Sequence, residues 1–380
     1  MIYLDNSATT RTLEAAAQIA KTYMTEEFFN ASAGYAPAVN AERGIGLTRE
    51  RLAGVLNVTS DEILYTSGGT ESNNMAILGS LKAMRAKGEV LVSAVEHPSV
   101  YETVHDLSGR FVVRDVGVDR EGMVDLDAFV RMISPSTLLV SVMHVNNETG
   151  AVNDIPAIYS MLKRKAPNAL LHVDGVQAFL KVPLDGRFCD FYSVSGHKFH
   201  APKGVGALYV KKHVRFAGGQ TGGGQEKNLR SGTINTPGIM GMDAAIDFYT
   251  QSQHAHIANM RACKLRLAEN LLSSMDGVIV NGPEPGQGAP HILNISFMGV
   301  RGQVLLNALE EKKIYVSTGS ACSARKRGKN RILTAMGVNG DRQDGAIRFS
   351  FCPFNTLEEM DEAAEEVKKQ VEFLRRYKRR

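Results

Sequence analysis

The chain has 380 residues, 43% hydrophobic and 22% charged, the composition of a soluble globular protein able to bury one large core and a second, smaller one. A net charge of +4 is too small to imply nucleic-acid binding, no apolar run reaches the length of a membrane span, and the start Met1-Ile2-Tyr3-Leu4-Asp5-Asn6 lacks the basic and apolar regions of a signal peptide. Four cysteines, Cys189, Cys263, Cys322 and Cys352, show neither CxxC spacing nor a regular framework, so free thiols in a reducing, cytoplasmic setting are expected.

From about residue 60 to 210 short apolar runs alternate with helical patterns. A strand is expected over 62–66 and a helix over 70–86, then strands over 90–92, 111–113 and 138–142 with helices between them. Another apolar run, 169–171, leads through His172-Val173 to an acid, Asp174, and 190–194 reads as a short buried strand before Ser195-Gly196-His197-Lys198. Such strands, separated by helices, imply an α/β fold with a mainly parallel sheet covered on both faces. Ligands in these sheets gather beyond the carboxyl ends of the strands, where Asp174 and Lys198 should lie. A Gly-rich segment, 217–224, interrupts the alternation. A long helical stretch over 238–275 then leads to an α+β part over 276–380, with strands near 292–297 and 347–351 and a closing helix over 357–377. The basic end of that helix, from Arg375 to Arg380, complements the helix dipole and is expected to stay solvated.

A lysine and an aspartate at strand ends suit pyridoxal phosphate. The lysine forms the Schiff base, and the carboxylate keeps the pyridine nitrogen protonated so that the ring accepts electrons. Taken alone, a lysine is usually solvated and a strand-end aspartate is often a helix cap, so the weight comes from the parts found with them. Thr66-Ser67-Gly68-Gly69-Thr70-Glu71-Ser72-Asn73 follows a strand and opens a helix, where glycines let the backbone approach a phosphate and the first N–H groups face it. The other reading is a plain turn with Thr70 as N-cap. No Lys-Ser/Thr pair follows the glycines, which excludes a nucleotide P-loop. His97, in Glu96-His97-Pro98, either lies over an aromatic cofactor and exchanges protons or is an ordinary loop histidine. The stretch 144–150 places an amide for the cofactor's phenolic oxygen or the substrate. His97 and His144 make no zinc set, so no metal is expected. Cys322 sits among small residues in Ser317-Thr318-Gly319-Ser320-Ala321-Cys322-Ser323. Arg325, Lys326, Arg327, Lys329 and Arg331 follow, and nearby cations favour the thiolate. Cys189 and Cys263 read as buried structural residues.

In order along the chain, these segments resemble the cysteine desulfurases of the NifS/IscS type, within the fold-type I pyridoxal-phosphate enzymes (class V aminotransferase group). The resemblance rests on Tyr3-Leu4-Asp5-Asn6-Ser7-Ala8-Thr9-Thr10, the segment 66–73, Glu96-His97, Met143-His144-Val145-Asn146-Asn147-Glu148, His172-Val173-Asp174-Gly175-Val176-Gln177, Ser195-Gly196-His197-Lys198, Arg230-Ser231-Gly232-Thr233 and Ser320-Ala321-Cys322. It implies a seven-stranded large-domain sheet over 12–255 and a smaller α+β domain, 1–11 with 256–380, that carries the cysteine loop. Lys198, Cys322 and His97 would be catalytic, with Lys198 carrying the cofactor and His97 stacked on its ring. Asp174 would pair with the ring nitrogen, and Gln177 and Asn147 would bond the phenolic oxygen or nearby substrate atoms. Gly69, Thr70, Ser195 and His197 would hold the phosphate, and Thr233 would reach the phosphate of the neighbouring subunit of a homodimer. Arg348 matches the arginine that clamps the substrate carboxylate, a task suited to a bidentate fork. The reaction implied converts L-cysteine to alanine, leaves the sulfur on Cys322 as a persulfide, and passes it from a mobile loop to an acceptor protein for iron–sulfur cluster assembly or for thiolation of tRNA or cofactors. No membrane and no direct nucleic-acid partner is expected. The alternatives are a selenocysteine lyase, whose substrate differs by one atom, and a non-catalytic sulfur-transfer scaffold, against which the presence of both Lys198 and Cys322 argues.

The chain departs from the family pattern in three places. Phe29-Asn30-Ala31-Ser32-Ala33-Gly34-Tyr35 lacks the usual proline and histidine, the run Arg325-Lys326-Arg327-Gly328-Lys329 is more basic than the usual serine-rich loop, and Cys352-Pro353 replaces Gly-Arg after Arg348. The basic run is expected to favour an acidic acceptor. Cys352 reads as a strand-end apolar residue.

Overall fold

The computed structural model describes residues 1–84, 87–319 and 330–378. Its strands are β1 (Ile2–Tyr3), β2 (Ile63–Thr66), β3 (Glu89–Ser93), β4 (Val112–Val116), β5 (Thr137–Met143), β6 (Leu170–Asp174), β7 (Phe191–Ser195), β8 (Gly206–Val210), β9 (Val278–Val280), β10 (Ile292–Phe297), β11 (Ile314–Tyr315) and β12 (Ala346–Ser350). A seven-stranded sheet has the order β2-β8-β7-β6-β5-β3-β4. Pairing is parallel from β4 through β3, β5 and β6 to β7, and β8 alone runs against both of its neighbours, β7 and β2. The expected mainly parallel α/β sheet is therefore present. Strands β5, β6 and β7 are almost wholly buried, which explains why they read as continuous apolar runs rather than alternating ones. The edge strand β4 is largely exposed and carries Arg114 and Asp115, charges that discourage pairing with another chain.

Helices between strands begin where side chains satisfy their first N–H groups. His97, Asp125 and Asp154 cap the helices Pro98–His105, Leu126–Met132 and Ile155–Lys165 by accepting from Ser99, Ala128 and Ala157. The helix expected over 70–86 runs Gly69–Ala83, and Met84 is already extended. The single helix expected over 238–275 is two, Thr236–Gln251 and Gln253–Ser274, broken at Ser252 (φ −140°, ψ 33°). Their buried faces serve different cores: Ile239, Met242, Ala245, Ile246 and Tyr249 pack with the large sheet, whereas Met260, Cys263, Leu267 and Leu271 pack with Ile2, Leu4 and the segments after 290. One straight helix would not present its apolar stripe to both. No proline or glycine marks the break, so the helical period ran through it.

The second cluster is built on the antiparallel sheet β12-β10-β9 and the parallel pair β1-β11. The closing helix, Leu357–Lys378, packs Met360, Ala363, Val367 and Val371 into it. Its basic end is not wholly solvated as expected, because Arg375 donates from Nε to the Met298 carbonyl at 3.0 Å. Arg379 and Arg380 lie outside the described residues.

Close approach of β6 and β7 constrains the residue after Asp174. A Cβ on Gly175 would lie 2.0 Å from the Tyr192 ring, which is itself fully buried. Gly175→Ala is therefore expected to lower unfolding free energy by about 1–3 kcal/mol, an overpacking cost, measured by urea denaturation. An unchanged midpoint would show that this packing is looser than described.

Candidate cofactor and catalytic site

Five chain segments leave the sheet at one edge: after Thr66 of β2, Ser93 of β3, Met143 of β5, Asp174 of β6 and Ser195 of β7. A cavity of about 350 Å³ lies there. Lys198, Asp174, His97, Asn147, Gln177 and Arg348 line it, as do Gly69, Thr70, Ser195 and His197. Residues predicted from separate motifs thus meet at one place. Thr233 does not line this cavity; it is exposed in the link before the helix Thr236–Gln251. Cys322 and the basic residues Arg325, Lys326, Arg327 and Lys329 lie outside the described residues.

Lys198 follows β7 in a short turn, and its Nζ donates to the carbonyls of Ser7 and Ala8 at 2.6 and 2.8 Å. Gln177 also donates to the Ser7 carbonyl, at 2.9 Å. Asp174 is 3% exposed, and its two carboxylate oxygens accept from the Val176 N–H (3.0 Å) and the Asn73 amide (2.9 Å). His97 accepts at Nδ1 from the Ser99 N–H (3.1 Å), with the Ser99 hydroxyl 2.8 Å away. Burial pushes its imidazole below the usual range, reinforced by the positive charges of Lys198 and Arg331 and opposed by Asp174. A neutral ring with Nδ1 engaged leaves Nε2 to carry the proton.

Arg348, on β12, is the small sheet's contribution. Its Nη2 donates to Asp5 at 2.7 Å and its Nη1 to the Asn147 carbonyl at 2.9 Å, while its buried Nε–H has no partner. Asp5 was not singled out from the sequence, since its partner is 343 residues away. Asn73 was missed in the same way, being read only as part of a turn.

The turn 67–70 has the form of an anion cradle. Gly68, at φ 147°, is the N-cap of the helix Gly69–Ala83, so Thr70 is its second residue rather than its cap. Gly69 has no room for a side chain, as a Cβ would lie 2.6 Å from Val176. The Ser67 N–H donates to Glu71 at 2.7 Å, and Glu71 is in turn held by Arg230 at 2.8 Å. Ser195, His197 and a further cation, Lys203, line the adjoining cleft. A helix N-terminus with a hydroxyl, an imidazole and an ammonium around it fits a phosphate. Elsewhere around the main cavity, Ser7 Oγ, Asn73 Oδ1, Asn147 Oδ1 and Gln177 Oε1 are buried without partners, as a polar ligand would require.

Glu148 is 6% exposed and stands at the cavity wall. Its carboxylate accepts from Asn330 at 2.6 Å and closely abuts Gly319, where a Cβ would be 2.7 Å from Oε2. The residues on both sides of positions 320–329 therefore meet one carboxylate. Cys352, by contrast, is an ordinary structural thiol: burial pushes it up to about 11, which keeps it protonated.

A strand-end lysine and aspartate beneath a glycine-rich helix start, with unpaired polar atoms between them, define a fold-type I pyridoxal-phosphate enzyme. The aminotransferase class-V family matches residues 2–362. A cysteine desulfurase of Sinorhizobium fredii is 38% identical over 98% of this chain and 97% of its own length. The cysteine desulfurase IscS of Methanosarcina thermophila is 38% identical over 98% of this chain and 93% of its own. A solved NifS-like protein superposes with a TM-score of 0.91 at 33% identity, covering 98% of this chain and 99% of that one. The chain belongs to the aminotransferase class-V family, among the cysteine desulfurases of the NifS/IscS type. Members of this group are pyridoxal-phosphate-dependent.

Asn73→Ala removes one of the two donors to Asp174 without touching the helix start. It is expected to weaken pyridoxal-phosphate binding by roughly tenfold, the worth of one charge-assisted hydrogen bond. Absorbance titration of the apoprotein reads this; unchanged affinity would separate Asn73 from the site.

Proposed function

We propose that this protein is a pyridoxal-phosphate-dependent cysteine desulfurase that converts L-cysteine to L-alanine and places the sulfur on Cys322 as a persulfide. The observation that carries the reading is the meeting of Lys198, Asp174, His97 and Arg348 around one cavity whose wall includes Gly319, three residues before Cys322. Three extended residues span about 10 Å, so the chain length suits a thiol that meets the bound substrate.

When bound, the cofactor supplies a protonated ring that takes up the electron pair released at the substrate Cα. Asp174, kept in place by Asn73 and Val176, would pair with the ring nitrogen. The helix start at Gly69-Thr70, with Ser195 and His197, would hold the phosphate. Asn147 and Gln177 offer their unpaired oxygens to the cofactor's phenolic group or the substrate. Arg348 is steadied by Asp5 and the Asn147 carbonyl, and its unpaired Nε–H is the donor directed at the substrate carboxylate. Lys198 removes the Cα proton as an amine, and neutral His97, lining the same cavity, is able to move a proton to or from the bound substrate. The Cys322 thiolate then attacks the substrate sulfur. An S–S bond forms, the Cβ–S bond breaks with its electron pair going to Cβ, Cβ gains a proton, Lys198 returns a proton to Cα, and alanine leaves.

On the same reading the chain divides into a cofactor-binding body over 12–255 and a smaller one, 1–11 with 256–380. The apolar cluster joining Ile2 and Leu4 to residues between Met260 and Val371 supports that division. It is also a homodimer in which Thr233 reaches the partner's phosphate. Support comes from the exposure of Thr233 and of Met24, Phe28, Tyr35, Val39 and Leu47, large apolar side chains 44–65% exposed. The sulfur acceptor is an acidic protein of iron–sulfur cluster assembly or of tRNA or cofactor thiolation, met by the basic run 325–329. A reducing, cytoplasmic setting suits the free thiols Cys189, Cys263 and Cys352. Among the described residues no helix is long and apolar enough to cross a membrane.

The cofactor-loaded protein given L-cysteine and a thiol reductant is expected to release alanine, and Cys322→Ala and Lys198→Ala to lose at least about 100-fold of that rate. No alanine from the parent would overturn the reading, and a strong preference for selenocysteine would replace it with the lyase. By light scattering the parent is expected at twice the chain mass, and the double variant Val39→Asp, Leu47→Asp at once the chain mass.

A further inference from the structure

Arg331 was read from the sequence only as one of the cations after Cys322, yet in the fold it reaches the turn that carries His97. It opens the short helix Arg331–Ala335, next to Asn330, which caps that helix through Leu333 and donates to Glu148. Its two Nη groups donate to the carbonyls of Ala94 and Glu96, the residues that lead into His97. Its guanidinium carbon lies 3.8 Å from the centroid of the Tyr101 ring, one turn into the helix that His97 caps. Tyr101 is itself fixed by its hydroxyl on Asp115 at 2.9 Å and by ring contact with His105 at 4.2 Å.

These contacts bracket His97 on both sides in sequence. A planar fork spanning two carbonyls fixes the turn 94–97 in a way that a lysine's single ammonium does not, and stacking on Tyr101 holds the fork in plane. The neighbouring Glu96 carboxyl is fully buried, anchors on the Met143 N–H at 2.6 Å and leaves its second oxygen unpaired. Burial, with the nearby Asp174, drives this carboxyl well above its ordinary range. The charged groups facing His97 are Asp174 from β6, Lys198 from the turn after β7, and Arg331.

We propose that Arg331 is a positioning residue for His97: it locks the turn that carries the imidazole and keeps a fixed positive charge beside it, so that the ring stays in place at the cavity. This deepens the desulfurase reading and rests on it for the catalytic consequence; the positional and electrostatic consequences are properties of the apoprotein.

The test compares Arg331→Met and Arg331→Lys with the parent. In the apoprotein, NMR titration of the His97 ring nitrogens is expected to show its pKa rising by roughly half a unit to one unit in Arg331→Met, where a cation is lost. Arg331→Lys keeps the charge but not the fork, so its pKa is expected close to the parent's while its His97 resonances move. In the loaded enzyme, both variants are expected to lose on the order of tenfold in kcat with KM for L-cysteine nearly unchanged, the pattern of a misplaced catalytic group. His97 resonances and pKa identical to the parent in both folded variants would overturn the proposal. Should Arg331→Met fail to fold, Arg331→Lys alone decides, since unmoved resonances and an unchanged kcat would overturn it. If the parent makes no alanine yet the His97 titration shifts as stated, the desulfurase reading fails and the positioning role stands.

Discussion

Parallel pairing is the constraint on which the site depends. Because β3, β5, β6 and β7 run the same way, with β2 aligned to them across the antiparallel β8, the segments after their carboxyl ends all emerge at one edge. Each contributes a different chemical part: the glycine turn after β2, His97 after β3, Asn147 after β5, Asp174 at the end of β6 and Lys198 after β7. The register sets which parts are adjacent. Asp174 pairs with Ser193, and two residues further β7 ends at Ser195, beside the cradle glycines. A slip of the pairing would move these groups apart and would also turn buried apolar side chains towards the polar edge.

The N-terminal segment ties the sheet to the smaller body. Asn6 and Ser7 are bonded to Ser350 of β12, Asp5 is paired with Arg348, and the Ser7 carbonyl receives both Lys198 and Gln177. Thr9 contacts His197, and the Thr10 hydroxyl donates to the His197 carbonyl. Six residues of chain thus touch Lys198, Arg348 and His197 together. Such fixed partners matter more for buried groups than at the surface, because an unpaired buried charge costs several kcal/mol.

Two of the three departures from the family pattern lie where the chemistry does not. Cys352 is a half-buried, protonated thiol after β12, and the segment 29–35, which lacks the usual proline and histidine, begins at Phe29, whose ring stacks on the exposed Phe28 at 4.7 Å. The third, the basic run 325–329, lies outside the described residues.

Much of the site was legible because its parts are local. A glycine turn that opens a helix, or an acid that ends an apolar run, carries its meaning within a few residues, and the order of such segments along the chain was enough to name the lysine, the aspartate, the histidine and the sheet. The partners that hold them were not legible. Asn73 meets Asp174 across 101 residues, Asn330 meets Glu148 across 182, Arg331 meets Ala94 across 237 and Arg348 meets Asp5 across 343. None of these pairs leaves a period or a motif. The helix break at Ser252 was hidden for a related reason, because it follows from two cores and not from a breaker residue. Sequence alone determined which chemistry the chain carries, since side-chain type and strand-end position are local properties. Tertiary structure decided how that chemistry is held, because hydrogen bonding, burial and charge act through space between residues that only folding brings together.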